Sequence, residues 1–416
     1  MLQSVRIENL RSFEETGRVD FAKINVLIGA NNAGKSSFLS AVELFFRSRQ
    51  SAGTRGPLSF EEMPAFASFD SVLRRHWSPG EQRPRKFTLS YDWKGTGKDV
   101  SYTFECQGHP RDNTAYTARA IYNVGKTTVV IEPKGGRPTL PRYVIAVGKK
   151  RFVERRLFFQ GLIPFASNEV VRKLFFELSR PFANLEVVHP YRPVPRSFYV
   201  LDDPGLARED RELLAFLIRA WSSEDERARR IRGRIAQNLE TLGLAHRFEV
   251  TQLSKRLGPK VFEIRVSPTM RRQHVTIADA GFGLSQALPL VAYDARLENG
   301  FFIAYQPEVH LHPFAQSRLA DIFAESIGRG NQVFVETHSP DLILRLQLKV
   351  ASGDLQPSDV RVLCFENKGG RSRVSPVTFD AKGSPSMQWP AGFLDTSLGL
   401  AREIAEERVK RGKHVR

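Results

Sequence analysis

The segment Gly29-Ala30-Asn31-Asn32-Ala33-Gly34-Lys35-Ser36 directly follows the apolar run Ile24-Asn25-Val26-Leu27-Ile28 and leads into a helical pattern from about Lys35 to Phe46. A β-branched strand, a turn bracketed by two glycines and a helix form the context of a phosphate-binding P-loop. Gly29 and Gly34 permit the tight turn, and the backbone N–H groups at the helix N-terminus face phosphate oxygens. An ordinary glycine turn needs neither this full spacing nor these flanks, so the segment predicts a nucleotide site.

The individual residues of this loop have distinct predicted roles. Lys35 is expected to reach the β- and γ-phosphates of ATP, and the Ser36 hydroxyl is expected to ligate Mg²⁺. The loop residues expected to contact the nucleotide are Gly29, Ala30, Asn31, Asn32, Ala33, Gly34, Lys35, Ser36 and Ser37. ATP and Mg²⁺ are therefore the predicted cofactors.

The chain is strongly basic. Its 416 residues include 62 Lys+Arg against 45 Asp+Glu, which gives a formal net charge of +17. Such a balance favours a polyanionic partner such as nucleic acid, the alternative being a basic surface that serves solubility. A helical segment with Arg227, Arg229, Arg230, Arg232 and Arg234 is the candidate contact surface, although charge runs of this kind are usually solvated faces.

Cysteine content and hydropathy bear on the compartment. Cys106 and Cys364 are too few and too far apart for a disulfide framework or a cysteine-based zinc site. Met1 is not followed by a charged and then apolar secretory segment, and no apolar run approaches the roughly 20 residues that span a bilayer. We therefore expect a soluble, cytoplasmic protein without a membrane partner.

The hydrophobic pattern divides the rest of the chain into strands and helices. Short alternating segments between about residues 85 and 147 predict antiparallel strands, and residues 153 to 185 have apolar clusters that predict helix. A second helical block is predicted from about Asp210 to Leu242, with a break near Ser222-Ser223, and Arg47 to Gly56 is predicted to be an exposed loop.

Three further polar segments each follow or precede an apolar run. The first is Asp279-Ala280-Gly281-Phe282-Gly283-Leu284-Ser285-Gln286, a small-residue turn before a helix. The second is the strand Phe301 to Tyr305 with Gln306-Pro307-Glu308-Val309-His310-Leu311-His312-Pro313 after it, and the third is the strand Gln332 to Val335 with Glu336-Thr337-His338-Ser339. Together with the P-loop, they predict a composite nucleotide site.

In these segments the sequence resembles ABC-class ATPases related to SMC, RecF and the OLD (overcoming lysogenization defect) proteins. The likeness extends to Val5 to Phe13 at one end of the predicted ATPase domain. Within this class the sequence is most similar to prokaryotic predicted ATPases of unknown function with a C-terminal Trp-Pro-x-Gly-Phe element, here Trp389-Pro390-Ala391-Gly392-Phe393. His189 to Tyr199 is similar to a proline-arginine stretch of that subgroup.

The resemblance and the strand pattern predict an α/β fold of the ABC and SMC-head type, with a mixed sheet, an antiparallel β lobe and an inserted helical region. The expected parts are an N-terminal ATPase lobe with the P-loop (1–148), an inserted helical region (149–247), a C-terminal ATPase lobe with the later motifs (248–350) and a C-terminal extension (351–416).

The resemblance also implies a dimer that sandwiches ATP. The P-loop of one subunit would meet the Gly-x-Gly-x-Ser-Gln signature of the second, so that Gly283, Ser285 and Gln286 contact the γ-phosphate in trans. Two-fold closure follows because each subunit offers both complementary faces. His338 would be the switch histidine that senses the γ-phosphate; the alternative is a strand-end histidine hydrogen-bonded to backbone. Arg11 would be a basic residue near the phosphates; the alternative is a plain surface arginine.

The pattern departs from this class at the end of the strand before Pro307. The class has two acidic residues there, one for the Mg²⁺ shell and one to polarise the attacking water, whereas this chain has Tyr305 and Gln306. Gln306 can orient a water but cannot accept its proton, and losing a general base slows a reaction by roughly 10²–10⁴-fold. Glu308 is the nearest alternative carboxylate. Lys35, Gln306, Glu308 and His338 are thus the candidate catalytic residues, and hydrolysis is expected to be slow.

The His310-x-His312 spacing also permits a metal site, since two such histidines can share an ion. The resemblance implies instead that this loop runs along the dimer interface, and no further His/Cys pair that would complete a metal site lies nearby in the sequence.

Three functions are compatible with these features. The first is an ABC-class ATPase or ATP-gated switch that acts on DNA or on a separately encoded effector, in antiphage defence or genome maintenance. The second is a hydrolysis-deficient scaffold in which bound ATP stabilises a protein complex. The third, an OLD-like nuclease, needs clustered carboxylates in a further domain, and no Asp-x-Asp element follows Leu346.

Overall fold

The structure is a computed structural model of the 416-residue chain. The residues that it describes are 1–54, 56–60, 63–66, 68–74, 84–95, 99–109, 113–134, 142–154, 157–165, 169–176, 184–190, 192, 195–201, 203–254, 260–267, 274–390 and 393.

The strands and helices alternate irregularly along the chain. The strands are β1 (Leu2–Leu10), β2 (Phe13–Glu15), β3 (Val19–Asp20), β4 (Ile24–Gly29), β5 (Ala52–Thr54), β6 (Phe87–Trp93), β7 (Val100–Gly108), β8 (Ala115–Val124), β9 (Thr127–Lys134), β10 (Arg142–Val147), β11 (Lys150–Glu154), β12 (Phe158–Gln160), β13 (Ile163–Phe165), β14 (Leu185–Val188), β15 (Tyr199–Val200), β16 (Arg247–Gln252), β17 (Val261–Ser267), β18 (Val275–Thr276), β19 (Phe301–Tyr305), β20 (Gln332–Glu336), β21 (Val360–Lys368) and β22 (Arg371–Val377). The α-helices are α1 (Lys35–Gln50), α2 (Phe69–Val72), α3 (Glu169–Phe176), α4 (Arg208–Ser222), α5 (Glu226–Thr241), α6 (Phe282–Arg296), α7 (Pro313–Gly328) and α8 (Pro340–Ala351).

A mixed sheet forms the centre of the molecule, with the strand order β14-β19-β20-β4-β21-β22. All neighbouring pairs are parallel except β21 and β22. Every residue of β19 and β20 is buried, as are the first five residues of β4. Parallel strands covered on both faces are continuous apolar runs, which is why these three strands were predictable from the sequence.

A large antiparallel sheet forms the second layer, in the order β11-β10-β9-β8-β7-β6-β1-β2, with β3 paired to β1. Buried residues alternate along β6 and β7, as expected for strands with one face on the core. That face packs on α1, where the Tyr91 hydroxyl donates to the Ala41 carbonyl at 2.7 Å. The prediction of antiparallel strands over residues 85 to 147 is confirmed for the described residues.

The third part consists of α4, α5 and α6 with a small sheet in which β17 pairs with β15, β16 and β18. The predicted break after Ser222-Ser223 is confirmed, because α5 begins anew with Asp225 as its N-cap, whose side chain accepts from the Ala228 N–H at 2.7 Å. Together with the mixed sheet and the antiparallel lobe, this arrangement agrees with the predicted α/β fold class.

The prediction of helix over residues 153 to 185 is wrong for most of its described part. Only α3 is helical there, whereas β12 pairs with β13 and with β5. Phe159 is buried and Phe158 is 52% exposed, so the side chains alternate as in a strand. A short apolar cluster does not distinguish the two structures, and pairing with β5, about a hundred residues earlier, decides between them.

The prediction of an exposed loop from Arg47 to Gly56 is also wrong in its first part. Helix α1 continues to Gln50, and the buried guanidinium carbon of Arg49 lies 3.7 Å from the centroid of the Trp93 ring. Burial lowers the pKa of Arg49 to about 10. Arginine can be buried in this way because its flat cation packs on an aromatic face.

The proposed division into four parts stays a prediction, but residues 351–416 contribute directly to the central sheet. Strand β21 pairs with the P-loop strand β4 along six residues. Farther along, the Trp389 ring lies 6.2 Å from that of Phe379 and 6.2 Å from that of Phe393. Ala391 and Gly392 of the Trp-Pro-x-Gly-Phe element, and the residues after 393, lie outside the described residues. In the part of the chain that the structure describes, no helix is long and apolar enough to cross a membrane.

The close contact between β4 and β21 predicts a strong effect of Gly29→Ala. Gly29 has φ 144°, and an added Cβ would lie 2.3 Å from the Phe365 carbonyl oxygen. We expect a loss of about 3 kcal/mol or more in the free energy of unfolding, because backbone strain and overpacking add. Urea denaturation measures it. Gly125→Ala is the control, since Gly125 has φ 58° and open space around it; equal unfolding midpoints for both variants would contradict the prediction.

Candidate nucleotide-binding site

The P-loop adopts a conformation that depends on its glycines. Asn32 and Gly34 have φ 61° and 102°, and a Cβ at Gly34 would lie 2.8 Å from both Phe13 Cζ and Ser372 Oγ. Gly34 is also the N-cap of α1 and provides no side-chain cap. The first-turn N–H groups of α1 therefore have no side-chain oxygen at this cap, and they are suited to bind an anion.

Lys35 lies over the loop from which it comes. Its ammonium group is buried and donates to the carbonyl oxygens of Gly29 at 2.8 Å and Ala30 at 2.9 Å. Burial lowers the pKa of Lys35, while the charges of Glu336 and Glu308 act to raise it. A buried cation held by two carbonyl oxygens is the arrangement expected of a residue that receives phosphate oxygens.

The loop residues around Lys35 are accessible. Ala30, Asn31, Asn32 and Ser36 are exposed, whereas Ala33 is buried. The Ser37 hydroxyl accepts a hydrogen bond from Arg11 Nη1 at 3.0 Å, and Arg11 Nη2 donates to the Ala65 carbonyl at 2.7 Å. Arg11 therefore lies at the first turn of α1, and its predicted position near the phosphates stays a prediction.

Ser36 contacts a carboxylate that the sequence reasoning did not identify as part of the site. The Ser36 hydroxyl donates to Glu336 Oε1 at 2.8 Å. Glu336 is the last residue of β20, the strand directly beside β4, and it is 3% exposed. The sequence shows that Glu336 is an acidic residue at the end of an apolar run. It does not show that Glu336 contacts Ser36, which is 300 positions earlier.

Tyr305 occupies the place where the ABC-class pattern has its first acidic residue, and it has a different partner. Its hydroxyl donates to Glu43 Oε2 at 2.7 Å, and its ring stacks on that of His189 at a centroid distance of 5.3 Å. Glu43 is eight residues beyond Lys35 in α1, or about 12 Å along the helix axis. Tyr305 thus connects β19 to α1 well below the P-loop.

Gln306 and Glu308 lie in the loop after β19. The Gln306 N–H donates to the Glu336 carbonyl at 2.7 Å, which joins the ends of β19 and β20. Glu308 Oε1 accepts from the His338 N–H at 2.7 Å, and its Oε2 has no hydrogen-bond partner within the described ranges. Burial raises the pKa of Glu308. This carboxylate therefore holds the backbone that carries His338.

His338 follows β20 and has an exposed side chain. Burial of part of the ring lowers its pKa, and the charge of Lys35 lowers it further. The imidazole is consequently neutral at neutral pH, so it offers one donor and one acceptor. Lys35, Ser36, Glu308, Glu336 and His338 thus meet at the carboxyl ends of adjacent strands of the central sheet.

The signature segment has two buried side chains, and its predicted contact with nucleotide stays a prediction. Helix α6 begins at Phe282 with Gly281 as N-cap, and the Ser285 hydroxyl donates to the Phe282 carbonyl at 2.7 Å. Ser285 is 7% exposed and Gln286 1%. In this chain the side chains of Ser285 and Gln286 are therefore turned into the protein. The accessible groups at the start of α6 belong to Gly281 and Phe282, and those of Gly283 are partly accessible.

Arg192 was not identified from the sequence. Its guanidinium is buried and donates to three carbonyl oxygens, those of Gln286 at 2.6 Å, Gln306 at 3.4 Å and His189 at 3.2 Å. Burial lowers its pKa to about 10. Arg192 connects the signature helix to the loop after β19, and a lone arginine between prolines offers no pattern that would reveal this role.

The two histidines of His310-x-His312 have separate partners. The His310 ring lies edge-on to that of Phe282 at 4.8 Å, and His312 Nδ1 accepts from the Phe314 N–H at 3.3 Å at the start of α7. Among the described residues, no group of three or more His, Cys, Asp and Glu side chains is arranged to hold a metal. The zinc interpretation thus gains no support.

The basic helix is partly neutralised by contacts within the chain. Arg230 pairs with Glu226 at 2.6 Å and Arg234 with Glu298 at 2.9 Å. Arg232 donates to the carbonyl groups of Ala220 and Ser223. The segment is therefore less available to a polyanion than its composition indicates.

A protein-family model described as "AAA ATPase domain" matches residues 1–80 and 217–343, just under half of the chain. These two ranges contain the P-loop, the start of α6, and the ends of β19 and β20. A Helicobacter pylori protein described as "ATP/GTP phosphatase" is 50% identical over 42 residues, which are 10% of this chain and 11% of that protein. The matched region is thus about a tenth of that relative's length.

Solved structures of SMC heads are similar at low sequence identity. A head bound to the C-winged helix domain of ScpA is 16% identical with a TM-score of 0.47, covering 91% of this chain and 98% of that chain. The SMC head domain from Thermotoga maritima is 12% identical with a TM-score of 0.47, covering 90% and 98%. A Pyrococcus furiosus SMC head with an extended coiled coil, bound to the C-terminal domain of ScpA, is 13% identical with a TM-score of 0.44, covering 97% and 99%.

Proposed function

We propose that the chain is a P-loop ATPase that binds ATP with Mg²⁺ and acts as a slow ATPase or ATP-gated switch. The observation that carries the proposal is the position of Lys35, whose buried ammonium lies on the P-loop carbonyls beside two buried carboxylates. In this proposal residues 29–37 cradle the phosphates and Arg11 supports the first turn of α1. The Lys35 ammonium and the first-turn N–H groups of α1 are donors for phosphate oxygens, and Mg²⁺ would offset the charge of the nearby carboxylates.

Hydrolysis in this proposal is slow because the end of β19 has no carboxylate. Gln306 orients the attacking water without taking its proton. The neutral His338 contacts the γ-phosphate, and Glu308 keeps His338 in place through the backbone bond at 2.7 Å. Glu308 is also the second candidate for the base, because its Oε2 is buried and has no hydrogen-bond partner among the described residues.

The proposed active form is a homodimer that closes around two ATP molecules. The start of α6 presents Gly281 and Phe282 to solvent, and the N-terminus of a helix favours an anion such as a partner-bound γ-phosphate. We assign this contact to backbone N–H groups near Gly283 because the Ser285 hydroxyl is internally bonded. Each subunit offers a P-loop and a signature face, so a two-fold dimer is closed.

The partners of this dimer are proposed from charge and resemblance. A net charge of +17 favours nucleic acid, even though several arginines of α5 have partners within the chain. The resemblance favours DNA or a separately encoded effector as the target, in antiphage defence or genome maintenance.

A second candidate function is a scaffold that binds ATP without hydrolysing it. The specific observation in its favour is Tyr305, whose hydroxyl bonds to Glu43 where an acidic residue is expected. In a scaffold, ATP that binds the dimer more tightly than the monomer shifts the population toward the dimer, and hydrolysis is not needed.

Sedimentation velocity with saturating ATP and Mg²⁺ tests the proposed dimer. We expect ATP to convert monomer into dimer in the parent and in the control Phe198→Asp, since Phe198 is 59% exposed and belongs to neither the P-loop nor the signature segment. Phe282→Asp places a charge beside the partner's phosphates and removes an aromatic anchor, so it should weaken the dimer by about 2 kcal/mol or more.

Sedimentation velocity with added duplex DNA tests the proposed nucleic-acid partner. Adding duplex DNA should give a faster-sedimenting complex that dissociates as the salt concentration rises. A parent that stays monomeric at saturating ATP contradicts the dimer, as does an equal effect of Phe282→Asp and Phe198→Asp. A lack of any DNA complex at low salt removes nucleic acid from the proposed partners.

A further inference from the structure

The end of β19 offers no carboxylate for a magnesium ion. In P-loop NTPases, Mg²⁺ is held by the P-loop Ser/Thr and by an acidic residue that follows a core strand. Here that strand ends in Tyr305 and Gln306, and the Tyr305 hydroxyl is bonded to Glu43. If the chain uses Mg²⁺, the acidic ligand must come from another element.

Glu336 lies where such a ligand is needed. Strand β20 is parallel to β4 and directly beside it, with Glu336 opposite Leu27, two residues before the P-loop begins. The Ser36 hydroxyl donates to Glu336 Oε1 at 2.8 Å. Of the two buried acids near Lys35, Glu308 instead accepts from the His338 N–H, so Glu336 is the one that contacts the predicted magnesium ligand.

The second oxygen of Glu336 is buried and receives no hydrogen bond from the part of the chain that the structure describes. Glu336 is 3% exposed, and its Oε2 accepts no hydrogen bond within the described residues. Leaving a buried carboxylate oxygen without a partner costs about 1–3 kcal/mol or more. Lys35 contributes an attractive charge, but its ammonium donates to Gly29 and Ala30. A bound cation or its water would satisfy the remaining oxygen.

Ser36 is free to bind a cation while it contacts Glu336. A serine hydroxyl has one hydrogen and two lone pairs, and here the hydrogen is directed to Glu336. The lone pairs remain available, and the Ser36 side chain belongs to an exposed residue. Hydroxyl and carboxylate oxygens are the donor atoms that Mg²⁺ prefers. The donor set therefore fits the ion.

We propose that Glu336 together with Ser36 holds the Mg²⁺ that accompanies ATP, so that the acidic ligand comes from β20 instead of β19. This inference rests on the proposed function, because the ion is that of the bound nucleotide. Bound Mg²⁺ would neutralise charge on the β- and γ-phosphates. Glu336 acts as the metal-holding carboxylate, and Tyr305 only joins β19 to α1 through Glu43.

Isothermal titration calorimetry of ATP binding, in EDTA and in excess Mg²⁺, tests this inference without measuring hydrolysis. The parent should bind ATP more tightly with Mg²⁺. The gain from Mg²⁺ is the ratio of the ATP affinity in Mg²⁺ to the ATP affinity in EDTA. Glu336→Gln keeps the size of the side chain and should reduce this gain by about 10- to 100-fold. The ATP affinity of this variant in EDTA should not be weaker than that of the parent. The control Tyr305→Phe should keep the full gain from Mg²⁺.

A double-mutant cycle separates a shared ion from two independent effects. If Ser36 and Glu336 hold one ion, the free-energy loss of the Ser36→Ala and Glu336→Gln double variant should be smaller than the sum of the two single losses, whereas independent effects should add. With Mn²⁺ in place of Mg²⁺, the electron paramagnetic resonance spectrum of the parent with ATP should show bound ion, and the Glu336→Gln spectrum should show mostly free ion.

The outcomes distinguish this inference from the proposed function. A full gain from Mg²⁺ in Glu336→Gln overturns the role of Glu336 and leaves ATP binding intact. Loss of the gain in Tyr305→Phe but not in Glu336→Gln assigns the ion to β19 and also overturns it. A parent that binds no ATP in either buffer overturns the proposed function and the metal site with it.

Discussion

Gln306→Glu is expected to increase the rate of ATP hydrolysis by about 10²–10⁴-fold. The amide of Gln306 cannot accept a proton from the attacking water, whereas a carboxylate at the same position can. The backbone of residue 306 has a φ of 45°. It is held in place by the hydrogen bond from its N–H to the Glu336 carbonyl at 2.7 Å. The substitution therefore changes the chemistry of the side chain with little change in its position.

Single-turnover hydrolysis of radiolabelled ATP with Mg²⁺ measures this gain. Gln306→Asn is the matched control, because it retains an amide and should show no increase. An unchanged rate in Gln306→Glu would mean that proton transfer to residue 306 does not limit hydrolysis, and Glu308 would become the main candidate for the base. Binding without measurable turnover in the parent, together with the gain, would establish an ATP-locked switch.

Lys35→Ala is expected to weaken ATP binding by about 2–5 kcal/mol, the usual effect of truncating one partner of a buried charge pair. The substitution removes the ammonium that would meet the β- and γ-phosphates. It also leaves the buried carboxylates of Glu336 and Glu308 without the nearby ammonium that offsets their charge. Both effects disfavour an incoming polyanion.

Calorimetric titration with ATP checks this prediction, with Lys349→Ala as the matched control. Lys349 is also a mostly buried lysine with an acidic partner, since its ammonium lies 2.8 Å from Asp321 Oδ1. It lies on α8 outside the P-loop, so its removal should leave ATP affinity unchanged. Parental affinity in Lys35→Ala would contradict the assignment of the P-loop as the phosphate site.

Much of the fold was predictable because the buried parallel strands are short continuous apolar runs bounded by polar motifs. Ile24 to Ile28, Phe301 to Tyr305 and Gln332 to Val335 all form strands of the central sheet. The alternating segments of the antiparallel lobe were predictable for a related reason, since one face is buried and the other is accessible. In both cases the pattern of burial is local in sequence.

The errors occur where local patterns are ambiguous. Phe158 and Phe159 were interpreted as part of a helix, but they alternate in a strand that pairs with β5. Arg49 was placed in an exposed loop, but it packs on Trp93. In each case a contact with a distant part of the chain determines the local structure, and hydrophobicity alone does not contain that information.

The sequence by itself predicted the strand, the glycine turn and the helix of the P-loop, because these parts are contiguous; the roles of Lys35 and Ser36 toward phosphate and Mg²⁺ stay predictions. It also determined that the end of β19 lacks the usual acids. Only the tertiary structure decided which distant segments meet around this site: the bond from Ser36 to Glu336, the bond from Tyr305 to Glu43 and the bond from the buried Arg192 to Gln286 all join parts far apart in the chain. Such contacts arise because a parallel sheet brings the ends of distant strands to one edge, and residue spacing does not encode that neighbourhood.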